Sequence, residues 1–383
     1  MTNEHRSAPF KVAGQAYASA SPLVIAEIGT GHGGSLAKGR ELVAAAAAAG
    51  ADCVKFQHVY ADEIIHPNTG LVPLPGGPVP LFDRFRALET GPGFLAAMKD
   101  EAERRGLIFL CTPFGLRSAR ELRELGVAAM KLASPELNHL PLIGELASYG
   151  LPTIVSSGVS TLGDIEAAVS TFRAAGPAYE SGSGGLALLH CVTAYPAPES
   201  DYNLRVLSAL ASLFGLATGV SDHSTDPVIV PALAVSQGAA IVEKHICLSR
   251  DDPGLDDPIA LDPAGFKAMV QAVRAAAADP AGTPGRLAST YGEALIEATL
   301  GHGRKELAAS ERANYGRTNR SVHVLRGLKA GERLTADKLA LLRTERLLRP
   351  GLPPALLPGI VGRLAARDIP AGEGVEWADL GAP

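Results

Sequence analysis

The sequence predicts an α/β protein: a (β/α)8 TIM barrel followed by a small β-rich domain. Three observations predict it. Strand-like apolar runs and helix-like stretches alternate eight times between residues 23 and 278. That span, about 250 residues, is the size of one such barrel. Beyond it the alternation stops, and a short motif occurs twice in the tail.

The strand-like runs are LVIAEIG (23–29), DCVKFQ (52–57), LIFLCT (107–112), AAMKLAS (128–134), PTIVSSG (152–158), LALLHC (186–191), LATGVSD (216–222) and AAIVEKHI (239–246). They are short and nearly all apolar, as strands buried on both faces must be. Helix-like stretches lie between them. Residues 35–50 have Ser35 as N-cap and Gly50 as stop, and residues 161–176 repeat the form with Thr161 and Gly176. Residues 262–278 supply the last helix. A doubly wound open sheet is the competing fold, but no G-x-G-x-x-G follows the first strand.

Residues 1–280 therefore form the barrel and 281–316 a linker, opened by the Gly- and Pro-rich run 279–289. Residues 317–383 form the small domain. There RGLKAGERLTADKL (326–339) and RDIPAGEGVEWADL (367–380) share Arg, an aliphatic residue, Ala-Gly-Glu, another aliphatic residue and a final Leu in register. Each copy reads as a strand end, a turn and a short capped element, so the domain should have internal pseudo-symmetry.

The 383 residues are 46% hydrophobic and 20% charged, with net charge −5. Such a balance argues against a nucleic-acid binder with a broad basic face, so an anionic substrate would be held by a few placed cations. The four cysteines have no metal-type spacing, and three lie inside or at the end of apolar runs while Cys247 directly follows one. They read as reduced core thiols of a cytoplasmic protein. The first twenty residues lack a continuous apolar stretch, and no apolar run is long enough to span a membrane.

In a barrel of this kind the site is built at the C-terminal ends of the strands. Read in order, those ends carry Glu27; Lys55 and Gln57; Thr112; Lys131, Ser134 and Glu136; Ser156 and Ser157; His190, Thr193 and Tyr195; Ser221, Asp222 and His223; and Glu243, Lys244 and His245. Any one of these could be an ordinary polar residue at a loop start. Burying two lysines in apolar strands is costly unless each finds a partner or an anion. Lys55 and Lys131, with hydroxyls at Thr112, Ser134, Ser156 and Ser221, form a cradle for a phosphate or carboxylate. His223 and His245 stand at the ends of adjacent strands, about 5 Å apart. Two imidazoles there could share a metal with open positions, or be two hydrogen-bonding core histidines.

The segments VIAEIG, GADCVKFQ, KLASPEL, HCVTAYPAP, GVSDHS, VEKHICL and PGLDDPIALDP, in this order, resemble the sialic acid synthase family. Its members condense phosphoenolpyruvate with an amino-sugar aldehyde to make nonulosonic acids, and the tail resembles their antifreeze-like (SAF) domain. The resemblance covers nearly the whole chain from about residue 10. It implies that Lys55, Thr112, Lys131, Ser134, Ser156, Thr193 and Ser221 bind phosphoenolpyruvate. It implies a divalent metal, Mn²⁺ or Mg²⁺, on His223 and His245. Glu27, Gln57, Tyr195 and Asp256 match sugar-contacting positions, Glu136 matches a carboxylate proposed for proton handling, and either Glu136 or Glu27 would assist the proton transfers. A domain-swapped homodimer is implied, with Arg320 of one SAF domain reaching the sugar in the partner's barrel.

Three departures stand out, two of them near the acceptor. GTGHGGS (29–35) has glycines where relatives carry asparagines around the histidine. Thr193 stands where Asn or Ser is usual. The Gly- and Pro-rich loop 66–82 offers Asn68 alone as an acceptor amide. The donor half is thus intact and the acceptor half altered, so the acceptor is expected to differ from N-acetylmannosamine. Other classes are a Schiff-base aldolase using Lys131 or Lys55, a metal hydrolase, disfavoured by the lack of H-x-H in the first strand, and a carbohydrate-binding scaffold.

Overall fold

The computed structural model describes residues 9–72 and 78–381. Part of the acceptor loop, 73–77, lies outside them. The eight apolar runs form a closed parallel barrel: β1 Leu23–Gly29, β2 Cys53–His58, β3 Ile108–Pro113, β4 Met130–Leu132, β5 Thr153–Ser156, β6 Leu186–Cys191, β7 Ala217–Asp222 and β8 Ile241–His245. β8 closes on β1 in a register that sets His245 opposite Glu27, and the next pair sets Glu27 opposite Lys55. Register alone therefore brings three predicted site residues side by side at the C-terminal rim.

The helices end where their caps dictate. Ser35 Oγ accepts from Lys38 N at 3.2 Å to open helix Leu36–Ala49, and Gly50 closes it at φ +90°, a conformation that favours glycine. Thr161 and Asp164 form a reciprocal capping box at the start of helix Leu162–Ala174. The main core lies between strands and helices and includes Val24, Leu42, Phe109, Leu142, Phe172 and Phe266. A second cluster fills the barrel's lower interior. There Phe10, Val12 and Tyr17 of an N-terminal hairpin, Phe10–Val12 with Gln15–Tyr17, pack on Leu23, Leu110, Leu189 and Ile241 and plug the bottom.

The linker expected over 281–316 is only partly irregular. Helices Thr283–Tyr291 and Glu293–Leu300 occupy its first half, after helix Pro263–Ala278. Pro284 sits in the first helical turn, where its missing N–H costs nothing, so the Gly-Pro signal starts a helix here. Residues 301–316 then run across the barrel mouth, with Lys305 Nζ donating to Ser157 O at 3.0 Å. Glu311 Oε2 accepts from Val159 N at 2.9 Å and Thr193 N at 2.8 Å.

The small domain pairs β9 Arg320–Val324 with β10 Leu339–Arg343, antiparallel, with Arg320 opposite Arg343. Its two A-G-E copies face each other: Leu328 and Ile369 exchange backbone hydrogen bonds at 2.9 Å each way. Gly331 and Gly372 take the turns at φ +84° and +86°. The expected pseudo-symmetry is therefore a direct pairing of equivalent residues. The domain sits on its own barrel as a cap, through Asn138 with the backbone of Arg320, Asn319 with Val159 O, and His66 with Leu325 O. Asn68 donates its amide to Ala371 O at 3.0 Å, so that candidate acceptor contact is engaged with the cap.

Candidate active site

Inward-facing residues at the rim converge on one carboxylate. Glu243 Oε1 lies 3.3 Å from Lys55 Nζ, accepts from Ser221 Oγ at 3.0 Å and lies 3.9 Å from Lys131 Nζ. Lys55 Nζ also meets Glu27 Oε2 at 3.2 Å and Thr112 Oγ1 at 3.5 Å. Lys131 Nζ donates to Ser156 Oγ at 2.6 Å and to Leu132 O at 3.1 Å. Gln57 Nε2 donates to Glu27 Oε1 at 2.7 Å. Both lysines are at most 4% exposed.

Burial disfavours the charged form of each lysine. At Lys55 the charges of Glu243 and Glu27 overcome it, and the pKa is raised. At Lys131 burial wins over the more distant Glu243, and Lys55 adds repulsion, so its pKa falls to about 8. Glu243 is pushed up by burial, but Lys131 and Lys55 hold it down at about 2.

Ser134 Oγ accepts from Gly158 N at 3.0 Å. A Cβ on Gly158 would fall 2.2 Å from Thr193 Oγ1, 3.0 Å from Ser134 Oγ and 3.1 Å from Cys191 Sγ, so these groups enclose a space only glycine leaves open. Thr193 Oγ1 and Glu243 Oε2 are buried with no hydrogen-bond partner. Unpaired buried polar atoms at one barrel mouth mark where a ligand would supply the missing partners.

The two histidine rings lie 5.6 Å apart, centroid to centroid. His223 Nδ1 bonds Val192 O at 2.9 Å; a carbonyl accepts only, so Nδ1 carries a proton and Nε2 is the nitrogen left for a ligand. Burial lowers the pKa of His245 and favours its neutral form. Its Nδ1 lies 3.9 Å from Asp256 Oδ2. Among the described residues no group of three or more His, Cys, Asp or Glu is placed to hold a metal. Burial lowers the pKa of His223, but Cys191 outweighs it and raises the group to about 9. A divalent ion on the two rings would therefore have to displace a proton from His223 and draw its other ligands from substrate and water. The Tyr195 ring is 4.3 Å from that of His223, and 53% exposed on the wall of the mouth.

Asp222 points away from the mouth. It pairs with Lys244, the next residue out of phase on β8, and both are at most 1% exposed. Ser224 O accepts from the same Lys244 Nζ at 2.8 Å.

Within this single chain Arg320 is engaged at the seat of the cap. It is 1% exposed and its donors go to Glu136 Oε1 at 2.8 and 3.1 Å, Phe114 O at 2.7 Å, Leu341 O at 3.1 Å and Glu63 O. The reason is geometric: β9 lies against the barrel wall, and Arg320 is the bolt. Glu136 is fully buried in the same cluster, its Oε1 shared with Arg343 at 2.8 Å. His32 is also structural. It packs on Phe94 at 4.4 Å, accepts from Gly34 N at 3.0 Å, and is held neutral by burial and Lys38 at a pKa of about 4.

Glu243, Gly158 and Arg343 have roles that pattern alone does not assign. The signal for Glu243 was present: it is two residues before His245 on one strand, hence on the same face.

Residues 42–282 match the model of the NeuB family, and residues 319–381 match the SAF domain. The chain is 33% identical over 377 residues to the spore coat polysaccharide biosynthesis protein SpsE of Bacillus subtilis, covering 97% of each. It is 32% identical over 363 residues to the N,N'-diacetyllegionaminic acid synthase of Legionella pneumophila, covering 94% of each. The crystal structure of the Bacillus protein superposes with a TM-score of 0.80, covering 98% of this chain and 100% of that one. The N-acetylneuraminic acid synthetase of Leptospira borgpetersenii, 29% identical, gives 0.63 over 82% of this chain and 96% of that one. The order of barrel, rim residues and cap and the extent of these matches lead to one conclusion: this chain belongs to the NeuB family, with a SAF domain as its C-terminal cap.

Proposed function

We propose that this chain condenses phosphoenolpyruvate with an N-acyl amino-sugar aldehyde, forming a nonulosonic acid and releasing phosphate by C–O cleavage. The observation that carries the reading is the pair of buried lysines gathered round Glu243 beside two adjacent histidines. The names of the relatives support it, since they include legionaminic and pseudaminic acid synthases.

Lys55, Lys131 and the hydroxyls of Thr112, Ser134, Ser156, Thr193 and Ser221 would hold the phosphate and carboxylate of the donor. C3 of the donor attacks the aldehyde carbon, water adds at C2, and the tetrahedral adduct breaks its C–O bond to release inorganic phosphate. His223 and His245 would hold a divalent ion, Mn²⁺ or Mg²⁺, which when bound supplies Lewis-acid polarisation of the aldehyde oxygen. Glu27, set between Gln57 and Lys55, is assigned proton transfer. Glu136 is assigned to holding the cap, because two guanidiniums already occupy its Oε1. Gln57, Tyr195 and Asp256 would line the acceptor side. Cap exchange in a homodimer would keep the same contacts with the partners reversed. The four buried, unpaired cysteines fit a reducing cytoplasmic compartment.

The test is phosphate release from phosphoenolpyruvate with N-acetylmannosamine and 2,4-diacetamido hexoses, with and without chelator. Release with one acceptor, lost on chelation and restored by Mn²⁺ or Mg²⁺, is expected; no release with any acceptor sinks the reading. His223→Ala should abolish turnover and keep the fold. The depressed pKa of Lys131 favours a second reading, a Schiff-base aldolase. That enzyme would survive chelators and be trapped by borohydride with a keto acid.

A further inference from the structure

The turn after β5 is strained. Val159 has φ +42°, in a region that a β-branched residue rarely enters. Such a conformation persists only where its surroundings over-determine it. Val159 is fully buried, and both of its backbone groups are taken by the segment that follows the barrel helices. Its N–H donates to Glu311 Oε2 at 2.9 Å, and its carbonyl accepts from Asn319 Nδ2 at 3.0 Å. The same Glu311 oxygen accepts from Thr193 N at 2.8 Å, in the loop after β6. One oxygen atom thus fixes the gap between two neighbouring loops of the rim. Glu311 Oε1 takes Ala308 N at 3.2 Å, so among the described residues every bond of this buried carboxylate comes from a backbone N–H. Flanking bonds reinforce it, from Lys305 Nζ to Ser157 O at 3.0 Å and from Asn314 Nδ2 to Thr193 O at 3.3 Å.

What these two loops carry is the donor pocket. Gly158, next to Val159, holds Ser134 Oγ through its N–H at 3.0 Å, and Thr193 supplies a buried, unpaired Oγ1. We infer that Glu311 is the positioning residue of the donor pocket. It pins the strained turn of Val159 to the loop of Thr193, and so spaces Gly158, Ser134 and Thr193 for phosphoenolpyruvate. It acts through the backbone and not on the reacting atoms. The inference rests on the synthase reading above and deepens it.

The test measures both KM values and kcat on the full chain with the best acceptor, and Tm beside them. Glu311→Ala should raise the KM for phosphoenolpyruvate at least about tenfold, because bonds to a charged acceptor are among the strong ones. The acceptor KM should stay within about twofold. Glu311→Gln keeps an oxygen that can take both N–H groups, and should stay within about threefold of the wild type. Glu311→Asp, a methylene shorter, should behave like the alanine variant. Adding Val159→Gly to Glu311→Ala should recover at least about threefold in that KM, since glycine enters the left-handed region without strain. A merely structural residue would lower Tm and kcat and leave both KM values where they were. Glu306→Gln, on the exposed side of the same segment, is the control and should change none of these. An unmoved KM for phosphoenolpyruvate in folded Glu311→Ala, equal rises in both KM values, or no recovery with Val159→Gly overturns the assignment and leaves the synthase reading standing. If Glu311→Ala fails to fold, Glu311→Asp against Glu311→Gln decides, and equal KM values for phosphoenolpyruvate overturn it. Wild type that releases no phosphate with any acceptor overturns both.

Discussion

Glu243 Oε1 stands 3.9 Å from Lys131 Nζ but 3.3 Å from Lys55 Nζ, and with Glu27 a further 3.2 Å contact of Lys55 alone, this inequality separates the two buried lysines. Lys55 keeps its proton through the working pH range, whereas Lys131 gives its up near pH 8. A neutral amine cannot hold a phosphate or carboxylate by charge. The sign follows: Lys131 is cationic below about 8, and its contribution is lost as pH rises through that value. The kcat/KM for phosphoenolpyruvate, which reports the free enzyme, should fall about tenfold per pH unit on that limb. Lys131→Arg should move the limb above pH 9. A profile flat to pH 10 in the wild type would show that Lys131 does not bind the donor.

Glu243→Gln tests the same cluster from the carboxylate. Glu243 is the largest influence keeping Lys131 charged against burial. Removing its charge should move the basic limb to lower pH. At pH 8 the variant should lose at least about tenfold in kcat/KM, and recover part of it at pH 6.5. A uniform loss at every pH would mean that Glu243 acts on the reacting atoms instead.

Asp222 and Lys244 form a buried pair outside the barrel wall, with Ser224 completing the lysine's bonds. Asp222→Ala strands an ammonium that is 1% exposed and should cost about 3–5 kcal/mol in denaturant unfolding. The double variant Asp222→Leu/Lys244→Met, which removes both charges, should regain most of that loss. If both midpoints match the wild type, the pair contributes no stability.

The barrel was legible because strands buried on both faces must be written in apolar residues, and the inward rim positions break that rule visibly. Lys55 in CVKFQ and Lys131 in AMKLAS stand out for this reason, and so do Ser221 and His223. What pairs with what was not legible. That Glu243 serves both lysines depends on barrel closure, which joins β8 to β1 across more than two hundred residues of sequence. That Arg320 and Arg343 share Glu136 depends in turn on docking the cap, on whose two strands they face each other. The Gly-Pro run at 282–285 misleads for a local reason: proline reads as a breaker until its place in the first turn is known.

Gly158 offers the sharpest test of the donor pocket, because its lack of a side chain is what leaves room there. Its backbone does not require glycine through a positive φ, so Gly158→Ala adds a methyl group and changes little else. That methyl would meet Thr193 Oγ1 at 2.2 Å and Ser134 Oγ at 3.0 Å. Overpacking of this kind costs about 1–3 kcal/mol, which the fold can absorb. The hydroxyls must move, and displacements near 1 Å can cost as much as about a hundredfold in a positioned reaction. The variant should fold, with the KM for phosphoenolpyruvate raised at least about tenfold and the acceptor KM little changed. Gly163→Ala is the control: its methyl meets nothing nearer than 3.8 Å and lies in a helix, where alanine is favoured. Equal kinetics in the two variants would place phosphoenolpyruvate somewhere other than beside Ser134 and Thr193.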